Sequence, residues 1–225
     1  MIISPVFRGK RYAVLGLARS GLATVDALLA SGAEVVAWDS KEEARAATGK
    51  RTTLADPVEI DISGFDGVVV SPGVPINRHP IADKAHSAQV PLIGDIELFA
   101  QARASLPPHT VIGITGTNGK STTTALIHHI IETAGLPTML GGNIGLPILG
   151  QDPLPDGGVY VLELSSYQID LCHSLDCDIA VLLNITPDHL DRYDGFADYA
   201  ASKERLFTMQ HVDKVAVIAT EDDRT

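Results

Sequence analysis

Cysteine is scarce in this chain: there are two among 225 residues, Cys172 and Cys177. They do not form a CxxC pair, so neither a disulfide scaffold nor a thiolate metal site is supported, and the plain reading is two buried, reduced thiols. Positive charge is also in short supply, with 17 Lys and Arg against 28 Asp and Glu, a formal net charge of −11. That argues against wholesale binding to nucleic acid or an anionic membrane, because phosphate partners would be repelled over most of the surface. Long apolar runs are missing. Met1-Ile2-Ile3-Ser4 soon gives way to Arg8, Lys10 and Arg11, so neither a signal peptide nor a membrane span is expected, and cytoplasmic residence follows. No internal repeat or low-complexity tract occurs. What remains is ample apolar content, 45%, for one large or two modest domains.

Apolar, β-branched runs alternate with helical patterns, the signature of an α/β fold with a mainly parallel sheet. Strands are expected at Arg11 to Gly16, Glu34 to Trp38, Gly67 to Ser71 and Val90 to Ile93. Between the first two, Leu22, Val25, Ala27, Leu28 and Leu29 predict an amphipathic helix ending near Gly32. Ile96 to Ala102 reads as helix, and Leu106-Pro107-Pro108-His109 as a linker. The boundary therefore falls between about residues 93 and 109, giving a first domain at 1–96 and a second at 97–225. In the second, strands are expected near Val159 to Leu164, Ile179 to Asn184 and Lys214 to Ala219, with a helix around Tyr199 to Phe207.

The most specific signal is Gly113-Ile114-Thr115-Gly116-Thr117-Asn118-Gly119-Lys120-Ser121-Thr122-Thr123-Thr124. It follows the β-prone Thr110-Val111-Ile112 and leads into the helical Ala125-Leu126-Ile127-His128-His129-Ile130-Ile131. A glycine-rich turn there points backbone N–H groups and the positive end of a helix at one spot. Lys120 adds a cation, and Ser121 and Thr122 add hydroxyls able to hold Mg²⁺, which together suit a nucleoside triphosphate. The string departs from the strict eight-residue P-loop, since Ile114 stands where that pattern has glycine.

A second glycine cluster, Gly16-Leu17-Ala18-Arg19-Ser20-Gly21, also joins a strand to a helix. It resembles a dinucleotide fingerprint whose middle glycine is replaced by Ala18, which would hold a pyrophosphate further from the backbone. Asp39 ends the second strand, where such folds meet a ribose hydroxyl or a base. A nicotinamide dehydrogenase is the alternative this cluster raises, but a second phosphate loop has no role in simple hydride transfer. Glu163 closes an apolar strand, out of keeping with the run before it, and a carboxylate aimed at Mg²⁺ from the sheet edge competes with an exposed strand end.

Five further strings stand around these two loops in order: Val70-Ser71-Pro72-Gly73-Val74, Gly94-Asp95-Ile96-Glu97-Leu98-Phe99, Gly141-Gly142-Asn143-Ile144-Gly145, Leu162-Glu163-Leu164-Ser165-Ser166-Tyr167-Gln168 and Asn184-Ile185-Thr186-Pro187-Asp188-His189-Leu190-Asp191-Arg192-Tyr193. With Thr-Gly-Thr-Asn-Gly-Lys-Ser they closely resemble the Mur ligases, ATP-dependent amide-forming enzymes of bacterial cell-wall synthesis, in the version of the D-glutamate-adding branch. The resemblance covers nearly all of the chain. It implies a Rossmann-like UDP-binding domain followed by a P-loop ATPase domain, truncated here, with a third domain absent and the chain inactive by itself. The reaction implied joins D-glutamate to UDP-N-acetylmuramoyl-L-alanine through an acyl phosphate, with ATP and Mg²⁺ as cofactors, no nucleic-acid or membrane partner, and a monomeric protein.

The resemblance also implies roles, residue by residue. Arg19, Ser20 and Gly21 would sit at the UDP diphosphate, Asp39 and Ser40 near the uridine, and Ser71, Pro72 and Gly73 would face the same ligand. Gly116, Thr117, Asn118, Gly119, Lys120, Ser121 and Thr122 would hold ATP, with Ser121, Glu163 and His189 about Mg²⁺. Asn143 would touch the sugar or peptide part of the substrate. Lys203, on the helix Tyr199 to Phe207, matches the lysine these ligases carbamylate, which turns a cation into an anionic, carboxylate-like group able to bridge or orient Mg²⁺, so Lys203 joins the implied metal set. Lys120, His189 and Lys203 form the implied catalytic set. A folylpolyglutamate-synthase-like ligase and a non-enzymatic nucleotide-binding module are the remaining alternatives.

Overall fold

The computed structural model describes residues 1–188 and 191–220. The chain divides into two compact units. The first is Met1–Ser105 with Pro147–Asp152, and the second is Leu106–Leu146 with Pro153–Thr225. The first unit thus runs past residue 96 and takes back a short segment much later in the chain. Pro147 to Asp152 is recruited through backbone and charge: Ile2 N donates to Leu149 O at 2.9 Å, and the terminal ammonium of Met1 meets Asp152 at 2.6 Å. Ile148 and Leu149 are both buried, so this pair supplies core to the first unit rather than loop.

In the first unit, β1 (Arg11–Leu15), β2 (Glu34–Trp38), β3 (Thr53–Leu54), β4 (Gly67–Val70) and β5 (Leu92–Ile93) form one parallel sheet in the order β3-β2-β1-β4-β5. Four helices accompany it: α1 (Arg19–Ala30), α2 (Glu42–Ala46), α3 (Ile81–Ser87) and α4 (Asp95–Ala102). The burial of all four β4 residues, Gly67 to Val70, is what a strand covered on both faces requires. β1 is the central strand. Its partners β2 and β4 lie on opposite sides, so the chain reverses direction across the sheet at its carboxyl end, where open α/β sheets leave a crevice.

The second unit repeats this logic. β6 (His109–Thr115), β7 (Thr138–Gly142), β8 (Gly158–Glu163), β9 (Ile179–Leu182) and β10 (Val215–Ile218) are parallel, in the order β10-β9-β6-β8-β7. α5 (Lys120–Thr133), α6 (Ser166–Asp170) and α7 (Phe196–Thr208) complete it. Ile112, Ile114, Val159, Val161 and Val181 make a core against Ile127 and Ile131 of α5, while Leu182 and Ile185 pack with Tyr199 of α7. Here β6 is central, between β8 and β9, and the loop after it opens at the reversal.

The expected α/β class with parallel sheets is therefore observed. The expected strands and helices are all present, with ends within a few residues. Five further elements escaped the pattern, among them the seven-residue α3. β3 is two residues long, α2 and α6 are five each, and β7, Thr-Met-Leu-Gly-Gly, carries two glycines that weaken its strand signal. Both cysteines are buried as thiols rather than joined in a disulfide. No helix among the described residues is long and apolar enough to cross a membrane.

Candidate functional site

In the second unit, the loop Gly116–Gly119 links the central strand β6 to α5. Gly119 caps α5 with φ +81°, a left-handed conformation that favours glycine, and no side chain among the described residues caps this helix start. The first-turn N–H groups of an α-helix have no partner within the helix, so this end is a ready anion site. Lys120 folds back over the loop, its Nζ donating to Gly116 O at 2.9 Å and Thr117 O at 2.8 Å. Ser121 and Thr122 are exposed beside it.

The loop is held by residues from the strand beyond. Asn184 Oδ1 accepts from Thr117 N at 3.1 Å and Asn118 N at 2.8 Å, and its Nδ2 donates to Asn118 O at 3.1 Å. Two of the loop N–H groups expected to cradle phosphate are thus engaged with Asn184. Thr117 Oγ1 donates to Thr186 O and accepts from Thr186 N, with the Tyr199 hydroxyl 3.1 Å away. Neither Asn184 nor Tyr199 was singled out from sequence. The signal available was an Asn directly after a core strand, a side chain able to mimic backbone in both directions.

Glu163 is the last residue of β8, paired in register with Ile114 of the strand that feeds the loop. It is 1% exposed. Its Oε1 accepts from Asn143 Nδ2 at 3.0 Å, while Oε2 is buried with no hydrogen-bond partner among the described residues. Asn143, expected at the substrate, is thus also the residue that holds Glu163. A buried carboxyl oxygen without a donor is costly unless something else meets it, and a cation is what suits it.

Lys203 is also 1% exposed, on α7. Its Nζ donates to Gly116 O at 3.0 Å and lies 4.6 Å from the Tyr199 ring centroid. Two ammonium groups, those of Lys120 and Lys203, therefore converge on one carbonyl. Burial, and then the nearby Lys120 charge, lower the Lys203 pKa to about 8. An ammonium cannot ligate a cation, so Lys203 enters a metal set only after chemical conversion. His189 lies outside the described residues.

Two of the family strings turn out to be partly structural. Ser165 and Gln168 form a capping box on α6, with Gln168 N to Ser165 Oγ at 3.3 Å and Ser165 N to Gln168 Oε1 at 3.1 Å. Tyr193 donates to Asp170 at 2.8 Å and stacks on Tyr167, over which the Arg192 guanidinium sits. These residues tie the segment before α7 to α6.

In the first unit, a cavity of about 530 Å³ opens at the carboxyl end of β1. Ser20, Asp39, Ser40, Ser71, Pro72 and Gly73 line it, whereas Arg19 does not. Gly21 lies beneath, packed so closely that a Cβ there would stand 1.9 Å from Gly16 O. The glycine is imposed by this approach of helix to strand, the third-glycine role of a dinucleotide fingerprint. Asp39 is committed to the backbone, Oδ2 accepting from Leu17 N at 2.7 Å and Oδ1 from Lys41 N at 2.9 Å. It therefore shapes the loop as well as facing the cavity. Ser71 Oγ donates to Gly16 O at 2.9 Å, fastening β4 to the same loop.

Residues 114–225 match the Mur ligase middle domain. Over all 225 residues the chain is 71% identical to a UDP-N-acetylmuramoylalanine–D-glutamate ligase of Novosphingobium aromaticivorans, covering 51% of that protein. It is 70% identical over 224 residues to the same-named ligase of Sphingopyxis alaskensis, covering 52% of it. The chain thus spans about half the length of these curated relatives. Among solved structures, UDP-N-acetylmuramate:L-alanyl-gamma-D-glutamyl-meso-diaminopimelate ligase from Neisseria meningitides shares the fold, with a TM-score of 0.58 at 21% identity over 96% of this chain and 73% of that one.

Proposed function

Because the chain belongs to the Mur ligase family, we propose that it carries the UDP and ATP sites of a ligase that joins D-glutamate to UDP-N-acetylmuramoyl-L-alanine in peptidoglycan precursor synthesis. The reaction is proposed of a protein of the relatives' length. The observation that carries the reading is the juxtaposition on β6 and β8 of a glycine-rich helix start with a buried carboxyl oxygen that lacks a donor among the described residues.

The substrate carboxylate attacks the γ-phosphate of ATP, giving an acyl phosphate and ADP. The D-glutamate amine then displaces phosphate to form the amide. Activation replaces a poor leaving oxygen with phosphate. Phosphoryl transfer asks the protein mainly for position and charge neutralisation. Lys120 would exchange its two loop carbonyls for phosphate oxygens, and the first-turn N–H groups of α5 would face the same anion. Ser121 and Glu163 would hold Mg²⁺, with His189 joining them on the family resemblance. Bound there, the ion neutralises phosphate charge. Asn184 and Tyr199 keep the loop in shape. Lys203, as an amine, would add to CO₂ to give a carbamate and a proton, which replaces the second cation at Gly116 with an anion.

Two measurements test this. Calorimetry on the 225-residue chain is expected to detect UDP binding and separate Mg²⁺-dependent ATP binding. A phosphate-release assay with all substrates is expected to stay at background for these residues alone, since the relatives carry about as many again, and to show D-glutamate-dependent release for a protein of their length. Absence of both UDP and ATP binding would remove the reading, and robust D-glutamate-dependent release by the 225 residues would remove its claim of inactivity.

A further inference from the structure

The nucleotide cavity of the first unit has two ends of different chemistry. Trp38, Asp39, Ser40 and Lys41 line one, at the close of β2, and Ser71 to Pro75 with His79 line the other, beyond β4. The start of α1 lies between, with Ala18 and Ser20 in the wall and no side-chain cap on the helix. In such a fold the nucleoside sits at the second strand and phosphate at the helix start. Whatever follows the first phosphate must therefore extend toward the β4 end.

That end is poor in donors. The Ser71 hydroxyl is spent on Gly16 O, Val74 N donates to Ser71 O, and the prolines have no N–H. Lys41 is at the opposite end, and Asp39 and Asp56 bring negative charge. Among the side chains at that end His79 is the exception, with the Gly73 N–H the backbone donor there. The His79 Nδ1 accepts from Ile81 N at 3.2 Å, at the start of α3. A ring nitrogen that accepts carries no hydrogen, so the ring proton is at Nε2. His79 is half-buried in the cavity wall, and Nε2 has no hydrogen-bond partner among the described residues.

We infer that His79 is a ligand-contacting residue that donates from Nε2 to the distal phosphate of a nucleoside diphosphate bound in this cavity. The inference rests on the reading of the cavity as a UDP site. The α3 cap explains why this position needs an imidazole: one nitrogen orients the ring by accepting from backbone, and the other is left to recognise the ligand.

The test compares UMP and UDP binding by calorimetry for the wild-type chain and His79→Asn. Asparagine accepts from the backbone N–H two residues on, so it retains the cap and an unchanged melting temperature while losing the Nε2 donor. UDP affinity is expected to fall about 10-fold to 100-fold, the effect of one hydrogen bond to a charged group, with UMP affinity unchanged. Unchanged UDP affinity would overturn the inference. So would an equal loss for UMP and UDP, which would make His79 a scaffold of the loop. Failure of the wild-type chain to bind either nucleotide would instead sink the UDP reading of the cavity, and His79 with it.

Discussion

Replacing Glu163 by Gln in a protein of the relatives' length is expected to lower ATP-dependent turnover about 100-fold to 1,000-fold, the usual loss when one preorganised electrostatic contact to a transferring group is removed. UDP affinity should be unchanged, because Glu163 belongs to the second unit and the UDP cavity to the first. Folding stability should move the other way. The carboxyl is buried, with Oε1 held by Asn143 and Oε2 without a donor among the described residues. A neutral amide of the same shape places an NH2 there and takes away the charge a carboxylate would bury, and thermal or urea unfolding of the metal-free variant should show equal or greater stability, by up to about 1–2 kcal/mol. Added Mg²⁺ with nucleotide should stabilise wild type more than the variant. A variant that unfolds more easily than wild type and retains near-normal turnover would show that Glu163 is a structural carboxyl and not the metal-facing one.

Asp95→Asn is expected to stabilise the chain at neutral pH. Asp95 begins α4, is 7% exposed, and accepts from Ile96 N at 3.0 Å. It lines a small internal void beneath the start of α1, together with Thr24, whose buried hydroxyl lacks a partner among the described residues. No cation lines this void. Burial, partly offset by the backbone hydrogen bonds, raises its pKa to about 6. A raised folded pKa means the native state holds this proton after the unfolded chain, near the ordinary 3.9, has released it. The native state is therefore favoured at low pH, and that advantage is lost as pH rises from about 4 through about 6. Above this window the wild type bears a cost of about 3 kcal/mol that asparagine, still able to accept from Ile96 N, does not. Unfolding measured from pH 4 to 7.5 should show the two proteins converging in acid and the variant pulling ahead as pH rises. A variant less stable than wild type at pH 7.5, or a difference independent of pH, would show that Asp95 is not the buried proton-holding group described.

Much of this protein was legible before any coordinates. Alternating apolar runs and helical patterns are local, and so are the glycines that must turn a strand into a helix. β2 and the two phosphate-type loops could be placed because their causes lie within a dozen neighbouring residues. Glu163 and Lys203 were found differently, from an acidic residue ending an apolar run and from a family resemblance. The structure added their burial, which no periodicity reveals.

The tertiary structure alone decided which polar groups remain available. Thr117 and Asn184 are 67 positions apart, and Lys203 and Gly116 87 apart, yet these pairs determine which loop atoms are left for phosphate. In the same way Asp39 reaches back 22 residues to Leu17, and Ser71 reaches 55 to Gly16. Pro147 to Asp152 joins the first unit although it lies far beyond the division at residue 105. Residue type sets what a side chain can donate or accept. Whether it is still free to do so depends on partners brought close only when parallel strands, never adjacent in the chain, are laid side by side.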